Sequence, residues 1–203
     1  MRNIIRVLLF AFATPLVVLS QDKPPKPRVS PDALTGDQIA IYQAVLKDFN
    51  DGAKSPLNLA NTTEPLERSG TKGCVNWVPA SDKNSAPIVH RLDALVRSDS
   101  KLALVESKKH QQAIDDNDPQ KLLKSAIDDG KKVDEDELSE SVKRAVASAL
   151  FTFYEIAFDK EHKRALLSYS FVCGGLCGHG ETMVLRRSGK NWKIAKRCRE
   201  WVS

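Results

Sequence analysis

Two cysteines and a histidine lie in one glycine-rich run near the C-terminus. The run covers residues 173–180, with three residues between Cys173 and Cys177 and one between Cys177 and His179. Thiolates and an imidazole can bind a soft metal ion such as copper or zinc. The same two sulfurs can cycle between thiol and disulfide, or they can be bonded together and simply hold the fold. Whether these sulfurs are free thiols or bonded to each other therefore decides between a metal-binding, a redox and a structural role.

The cysteine count favours structural disulfides. Four cysteines in an exported chain most often form two disulfides, and three pairings are open. We favour Cys173–Cys177 with Cys74–Cys198, because the glycines let the short loop fold back on itself. In the predicted sheet, Cys173 and Cys198 lie two strands apart, roughly 10 Å, which is beyond bridging distance. The pairing Cys177–Cys198 stays open.

Three other uses of this region are weighed against the disulfides. Cys173, Cys177 and His179 are the candidate ligands of a copper or zinc site, although zinc knuckles carry two close cysteine pairs and this loop supplies one. A thioredoxin-like motif has two residues between its cysteines and precedes a helix, whereas here three intervene and a strand-like stretch follows. A small-ligand or enzymatic pocket would use Tyr169, His179 and Trp192 at its mouth.

The N-terminal segment predicts export. Residues 1–6 carry two arginines and no acid, and residues 7–19 are almost entirely apolar. Thirteen residues rise about 20 Å as a helix, less than the roughly 30 Å core of a bilayer. Val18 and Ser20 fit a signal-peptidase site, so we expect a signal peptide over residues 1–20 and a mature chain from Gln21. The alternative is an uncleaved anchor. We expect a secreted or periplasmic protein with no stable membrane span after cleavage.

Composition and motifs argue against several function classes. The chain has 31 Lys and Arg against 26 Asp and Glu, and loss of residues 1–20 removes two arginines, leaving 29 against 26 and a formal charge of +3. So small and dispersed an excess predicts no nucleic-acid partner. No nucleophile elbow, zinc-protease helix or phosphate loop is present. We therefore expect a non-catalytic protein without a cofactor, whose partner is a small molecule or an envelope protein.

Hydrophobic periodicity predicts an α+β fold. Residues 21–36 contain four prolines and predict an extended, flexible leader, and residues 37–203 predict a single domain. The predicted helices run from Asp37 to about Asn50, from Asp118-Pro119 to Gly130, and from Asp134 through Ala149. The predicted strands of a C-terminal four-stranded antiparallel meander are Phe151–Phe158, Arg164–Cys173, Glu181–Arg187 and Trp192–Arg199. Short strands are also expected at Leu57–Leu59 and Val75–Val78, and the N-terminal and central helices should pack on one face of the meander.

Strand alternation predicts which side chains those helices cover. The simplest turns place Phe171 opposite Met183, and Leu185 between Tyr169 and Ile194. The covered face should then collect Leu167, Tyr169, Phe171, Cys173, Met183, Leu185, Trp192, Ile194 and Cys198.

Four short motifs follow one another along the chain after Glu155. They are Ile156-Ala157-Phe158-Asp159, Ser168-Tyr169-Ser170, Cys173-Gly174-x-Leu176-Cys177-Gly178-x-Gly180 and Gly189-Lys190-x-Trp192-Lys193. This part, roughly a quarter of the chain, resembles the C-terminal part of uncharacterised exported bacterial proteins, which carry no assigned activity. The last motif is also similar to the end of NTF2-like cone folds, which implies a small-molecule pocket. The sequence thus predicts a disulfide-stabilised binding or structural module.

Overall fold

The computed structural model describes residues 25–50, 56–66, 68, 71, 73–78, 85–97 and 101–203. The predicted signal peptide lies outside these residues. Among the helices within them, none has the length and apolar character needed to cross a membrane.

Five helices and nine strands form within the described residues. The helices are α1 (Gly36–Phe49), α2 (Asp93–Val96), α3 (Ser107–Asp116), α4 (Pro119–Asp128) and α5 (Glu135–Ala147). The strands are β1 (Arg28–Val29), β2 (Leu57–Ala60), β3 (Ile88–Val89), β4 (Leu102–Val105), β5 (Leu150–Phe153), β6 (Ala157–Phe158), β7 (Arg164–Gly174), β8 (Cys177–Ser188) and β9 (Asn191–Val202). The α+β class is confirmed. Within the predicted leader, β1 is extended and pairs in parallel with β3.

The main sheet is mixed, so the prediction of a four-stranded antiparallel meander is wrong. Its strand order is β4-β2-β5-β7-β8-β9, and β6 also pairs with β7. The pairs β5–β7, β7–β8 and β8–β9 are antiparallel, but β2 lies parallel to both β4 and β5. Parallel strands are joined by long connections, so paired strands lie far apart in sequence, and a four-residue strand such as β2 carries no local signal for its partner. The sequence therefore indicated β2 as a strand but not the sheet it extends.

Two other strand predictions also fail. The strand expected at Phe151–Phe158 is divided into β5 and β6, which pair with different parts of β7. No strand forms at Val75–Val78; Val75, Trp77 and Val78 pack as a loop against Ala157, Leu166 and Val184.

Helix α1 covers one face of the sheet. It begins at a capping box, in which Thr35 Oγ1 accepts the Gln38 N–H and Gln38 Oε1 accepts the Thr35 N–H, an arrangement that satisfies two helix-end donors. Its buried face carries Ile41, Tyr42, Val45 and Leu46. These side chains share one core cluster with Leu59, Phe151, Phe153, Leu167, Tyr169, Met183, Leu185 and Trp192.

Helix α3 covers the opposite face, so the prediction of helices on one face is wrong. Ala60 and Leu150 are the strand neighbours of Leu59 and Phe151 and therefore point the other way. Ile114 of α3 packs against Ala60 and Leu150. The periodicity rule missed α3 because Ile114 is its only large apolar residue, too few for a recognisable stripe.

The register of the hairpins differs from the predicted one, yet most of the predicted face survives. Met183 lies opposite Leu167, and His179 rather than Met183 lies opposite Phe171. This shift is an even number of residues, and an even shift leaves each side chain on its face. Ile194 does lie opposite Leu185. Cys198 is the exception, because the register shift on β9 between Ile194 and Lys196 turns it to the other face, toward Leu166 and Val184.

Candidate functional site

The structure contains both disulfides that the sequence analysis favours. Cys173 and Cys177 are bonded, with 5.0 Å between their Cα atoms, where β7 turns into β8. Cys173 is fully buried against Ala145 and Ala149 at the end of α5. The bond thus closes the hairpin end and presses it against a helix.

Gly174 and Gly175 let this hairpin end dock on the start of α4. The Gly175 N–H donates to Asp118 Oδ2 at 2.9 Å, while Asp118 Oδ1 caps α4 by accepting the Gln120 N–H. A Cβ atom at Gly175 would lie 2.2 Å from Gln120 Oε1, and Gly174 adopts a φ of +140°. The positive φ at Gly174 favours glycine there, whereas a side chain at Gly175 would require Gln120 to move.

Gly178 and Gly180 make room for an aromatic ring. The indole of Trp201 lies against both residues, and a Cβ atom at Gly180 would lie 2.1 Å from its Nε1 atom. Trp201 is paired with Gly180 across β8 and β9. Each glycine of the run therefore has a packing reason that requires no metal or cofactor.

The candidate ligand set Cys173, Cys177 and His179 is not assembled as a metal site. A cysteine binds a metal ion as its thiolate, and these two sulfurs are bonded to each other. Among the described residues, no group of three or more His, Cys, Asp or Glu is placed to hold a metal ion.

The second disulfide joins distant parts of the chain. Cys74 and Cys198 are 124 residues apart in sequence and 5.5 Å apart between Cα atoms. The bond fixes the loop around Cys74 to the last strand, beside the packed side chains of Trp77, Leu166 and Val184.

Four polar side chains meet on the α1 side of the sheet; we call Tyr169, His179, Glu181 and Arg197 the His179 cluster. The Tyr169 hydroxyl lies 3.4 Å from His179 Nδ1 and 3.5 Å from Glu181 Oε2. Arg197 Nη1 donates to Glu181 Oε2. His179 Nε2 lies 3.1 Å from Glu200 Oε1. The Tyr169 hydroxyl thus contacts the His179 imidazole directly, and the Glu181 carboxylate connects Tyr169 to Arg197.

Burial and charge set the proton affinities in this cluster. The Glu181 side chain is only 3 % exposed, and burial raises its pKa, although the positive charge and hydrogen bond of Arg197 act against this. Burial also raises the pKa of the Tyr169 hydroxyl, and the negative charge of Glu181 raises it further. Tyr169 is therefore a neutral donor at physiological pH.

Arg197 connects the cluster to α1. Its Nη2 atom donates to Asp48 Oδ2 at 2.6 Å, near the end of that helix. The neighbouring Phe49 packs its ring against Tyr169 and His179. Both contacts fasten the end of α1 to the sheet, which is a structural use of the cluster.

Trp192 does not belong to this site, so the predicted trio of Tyr169, His179 and Trp192 is not brought together. Its Nε1 atom donates to Asp37 Oδ1 at 3.2 Å, near the start of α1. Asp37 and Asp48 are eleven residues apart, or about 16 Å along the helix. Trp192 is buried in the main core.

The sequence analysis missed Glu181 and Arg197 as members of the cluster. Glu181 shares its strand face with Met183 and Leu185, so alternation alone places a carboxylate in the core, where it requires a partner. Arg197 faces that core only because of the register shift between Ile194 and Lys196 on β9. Alternation therefore indicates Glu181 as a core carboxylate but gives no signal for Arg197.

A charged cleft of about 420 Å³ lies beside the start of β7. It is lined by Asp159, Glu161, Lys163, Arg164, Arg186 and Arg187. Each acid has a cation close by: Asp159 Oδ2 accepts from Arg164 Nε at 2.8 Å, and Glu161 Oε2 lies 2.7 Å from Lys163 Nζ. Arg187 is paired with Asp37 at 3.2 Å, so Arg186 is the lining cation that has no ion-pair partner among the described residues, and the lining carries a positive excess.

Comparison with known proteins gives no relative from which a function can be carried over. No protein-family model, no curated protein and no solved structure matches the chain.

Proposed function

We propose that this chain is an exported, disulfide-stabilised module that binds a ligand or partner without transforming it. The observation that carries the proposal is the pairing of all four cysteines in two disulfides. Such bonds persist in oxidising compartments and are rare in the cytosol. The signal-like residues 1–20 support the same compartment.

Two further observations support a binding rather than a catalytic role. The polar groups of the His179 cluster bond to one another and to α1, an arrangement that stabilises the fold. The charged cleft, in contrast, has a volume within the range of small-molecule sites.

Intact mass of the exported protein tests the proposal. The chain is expressed with its own N-terminal segment, and free thiols are blocked at lysis. Mass spectrometry then gives the intact mass of the protein with and without reductant. We expect a mature chain beginning at Gln21, four hydrogens lighter than the reduced form and free of metal. Unpaired thiols, a bound transition-metal ion or retention of residues 1–20 would contradict the proposal.

A further inference from the structure

Three cations lie side by side across the last three strands. Arg164 of β7 is directly opposite Arg186 of β8, and Arg186 is directly opposite Lys193 of β9. Directly paired residues share one face, and neighbouring strands are about 4.8 Å apart, so the row spans roughly 10 Å. All three side chains are exposed.

Edge protection does not account for this row. Lysines on an edge strand prevent pairing with other chains, which explains Lys193 on β9. Arg164 and Arg186 lie on β7 and β8, which have a partner strand on each side. Like charges placed directly opposite one another destabilise a sheet. Arg164 is held by Asp159, so it is Arg186 that brings a cost in stability for which the described residues show no structural reason.

The positive charge of the row is only partly compensated. Arg164 bonds to Asp159, and its guanidinium lies 5.6 Å from the centre of the Trp77 ring. Neither Arg186 nor Lys193 forms an ion pair with any residue in the described part of the chain. Arg186 also lines the charged cleft. An anion in the cleft would thus meet a guanidinium that no carboxylate of the described residues holds.

The lining of the cleft favours a compact anion. Guanidinium groups present N–H donors in a planar fork that matches the oxygens of phosphate. Asp159 and Glu161 also line the cleft, and their negative charges disfavour the binding of an extended polyanion across it. The volume of about 420 Å³ suits a small molecule.

We infer that the Arg164–Arg186–Lys193 row binds the phosphate ester of a small molecule seated in the charged cleft. This inference rests on the proposed binding function and names its ligand class. Arg186 is the central contact, with Lys193 and Arg164 adding charge on either side.

The test titrates the oxidised chain with glucose 6-phosphate as the probe and with glucose as the uncharged control. Calorimetry at constant ionic strength measures the binding affinity. We expect glucose 6-phosphate to bind and glucose not to bind. Arg186→Gln should weaken binding about tenfold, the size of a lost charge-assisted hydrogen bond. Arg144→Gln, the same change at an exposed site on α5, should leave the affinity unchanged.

Stability measurements separate a lost contact from a damaged fold. Because Arg186→Gln removes repulsion from Arg164 and Lys193, its unfolding midpoint without ligand should equal or exceed that of the wild type. Glucose 6-phosphate should raise the midpoint of the wild type and raise that of the variant much less.

Several results would overturn the inference. The inference is wrong if glucose 6-phosphate does not bind at about 10 mM, or if Arg144→Gln weakens its binding as much as Arg186→Gln does. It is also wrong if the protein binds only anionic vesicles or polyphosphate. The thiol content of the same sample is measured in parallel. Paired cysteines without phosphate binding remove the ligand class alone, whereas free cysteines remove the module proposal.

Discussion

At Gly180 the backbone of β8 lies directly against the indole of Trp201. Gly180→Ala should lower the free energy of unfolding by about 1–2 kcal/mol, because the new methyl group has to displace the ring. Urea denaturation measures the change, and indole fluorescence reports whether Trp201 moves toward solvent. Gly36→Ala is the matched control, since a Cβ atom there meets nothing within 4 Å and the position begins a helix. Equal stability of Gly180→Ala and wild type would contradict this packing role.

Individual residues differ in how far the sequence reveals their environment. The favoured cysteine pairing is the one in the structure, because spacing and the distance between strands restrict the choices. The reason for Gly178 and Gly180 was hidden, since it depends on Trp201, twenty-one residues beyond Gly180. Glycine tolerates many environments, so the residue type alone does not say which close approach requires it.

The tight connection between β6 and β7 is organised by Asp159. Its carboxylate accepts the backbone N–H groups of Lys163 and Arg164 at 2.8 and 3.0 Å, as well as Arg164 Nε. Partial burial raises the pKa of Asp159, but these hydrogen bonds and the charge of Arg164 outweigh it and lower the pKa to about 2. The ionised carboxylate is therefore the form that the folded chain prefers.

This preference predicts a definite pH dependence. The unfolded carboxyl has a pKa of about 3.9, so its contribution to stability is fully present above about pH 4 and is lost as the pH falls toward 2. Asp159→Asn should cost about 1 kcal/mol at pH 7, a modest value because the half-exposed Arg164 is screened by solvent. Urea titrations across pH 2–7 should show the two proteins converging at the acid end. Asp128→Asn, an exposed change on α4, is the control, and a gap that persists at pH 2 would contradict the assignment.

Whole elements were predictable where their signal is local. The capped helices α1, α4 and α5 follow from periodicity and from Thr35, Asp118 and Asp134 at their starts. The hairpin strands β7, β8 and β9 follow from alternation and short turns. The parallel partners β2 and β4 have no local signal for their pairing. The register shift between Ile194 and Lys196 on β9 decides where Cys198 and Arg197 point, and the periodicity of two says nothing about it.

Across the whole molecule, the two disulfides restrain different scales of structure. Cys173–Cys177 closes a ring within one hairpin, whereas Cys74–Cys198 ties a loop before the central helices to the final strand. The longer closed loop removes more freedom from the unfolded chain. The first bond therefore shapes a local docking surface, and the second governs the stability of the whole fold.

Removing each disulfide in turn separates these roles. In the chain-entropy treatment, a closed loop of about 124 residues contributes nearly 5 kcal/mol and a five-residue ring about 2 kcal/mol. The pair Cys74→Ala and Cys198→Ala should thus cost clearly more than the pair Cys173→Ala and Cys177→Ala in urea unfolding under oxidising conditions. The first pair should also raise the dependence of the unfolding free energy on urea, because the uncrosslinked unfolded chain exposes more surface. Each double variant is the chemical control for the other. An equal loss of unfolding free energy in both would show that the Cys74–Cys198 bond does not restrain the unfolded chain more than the short bond does.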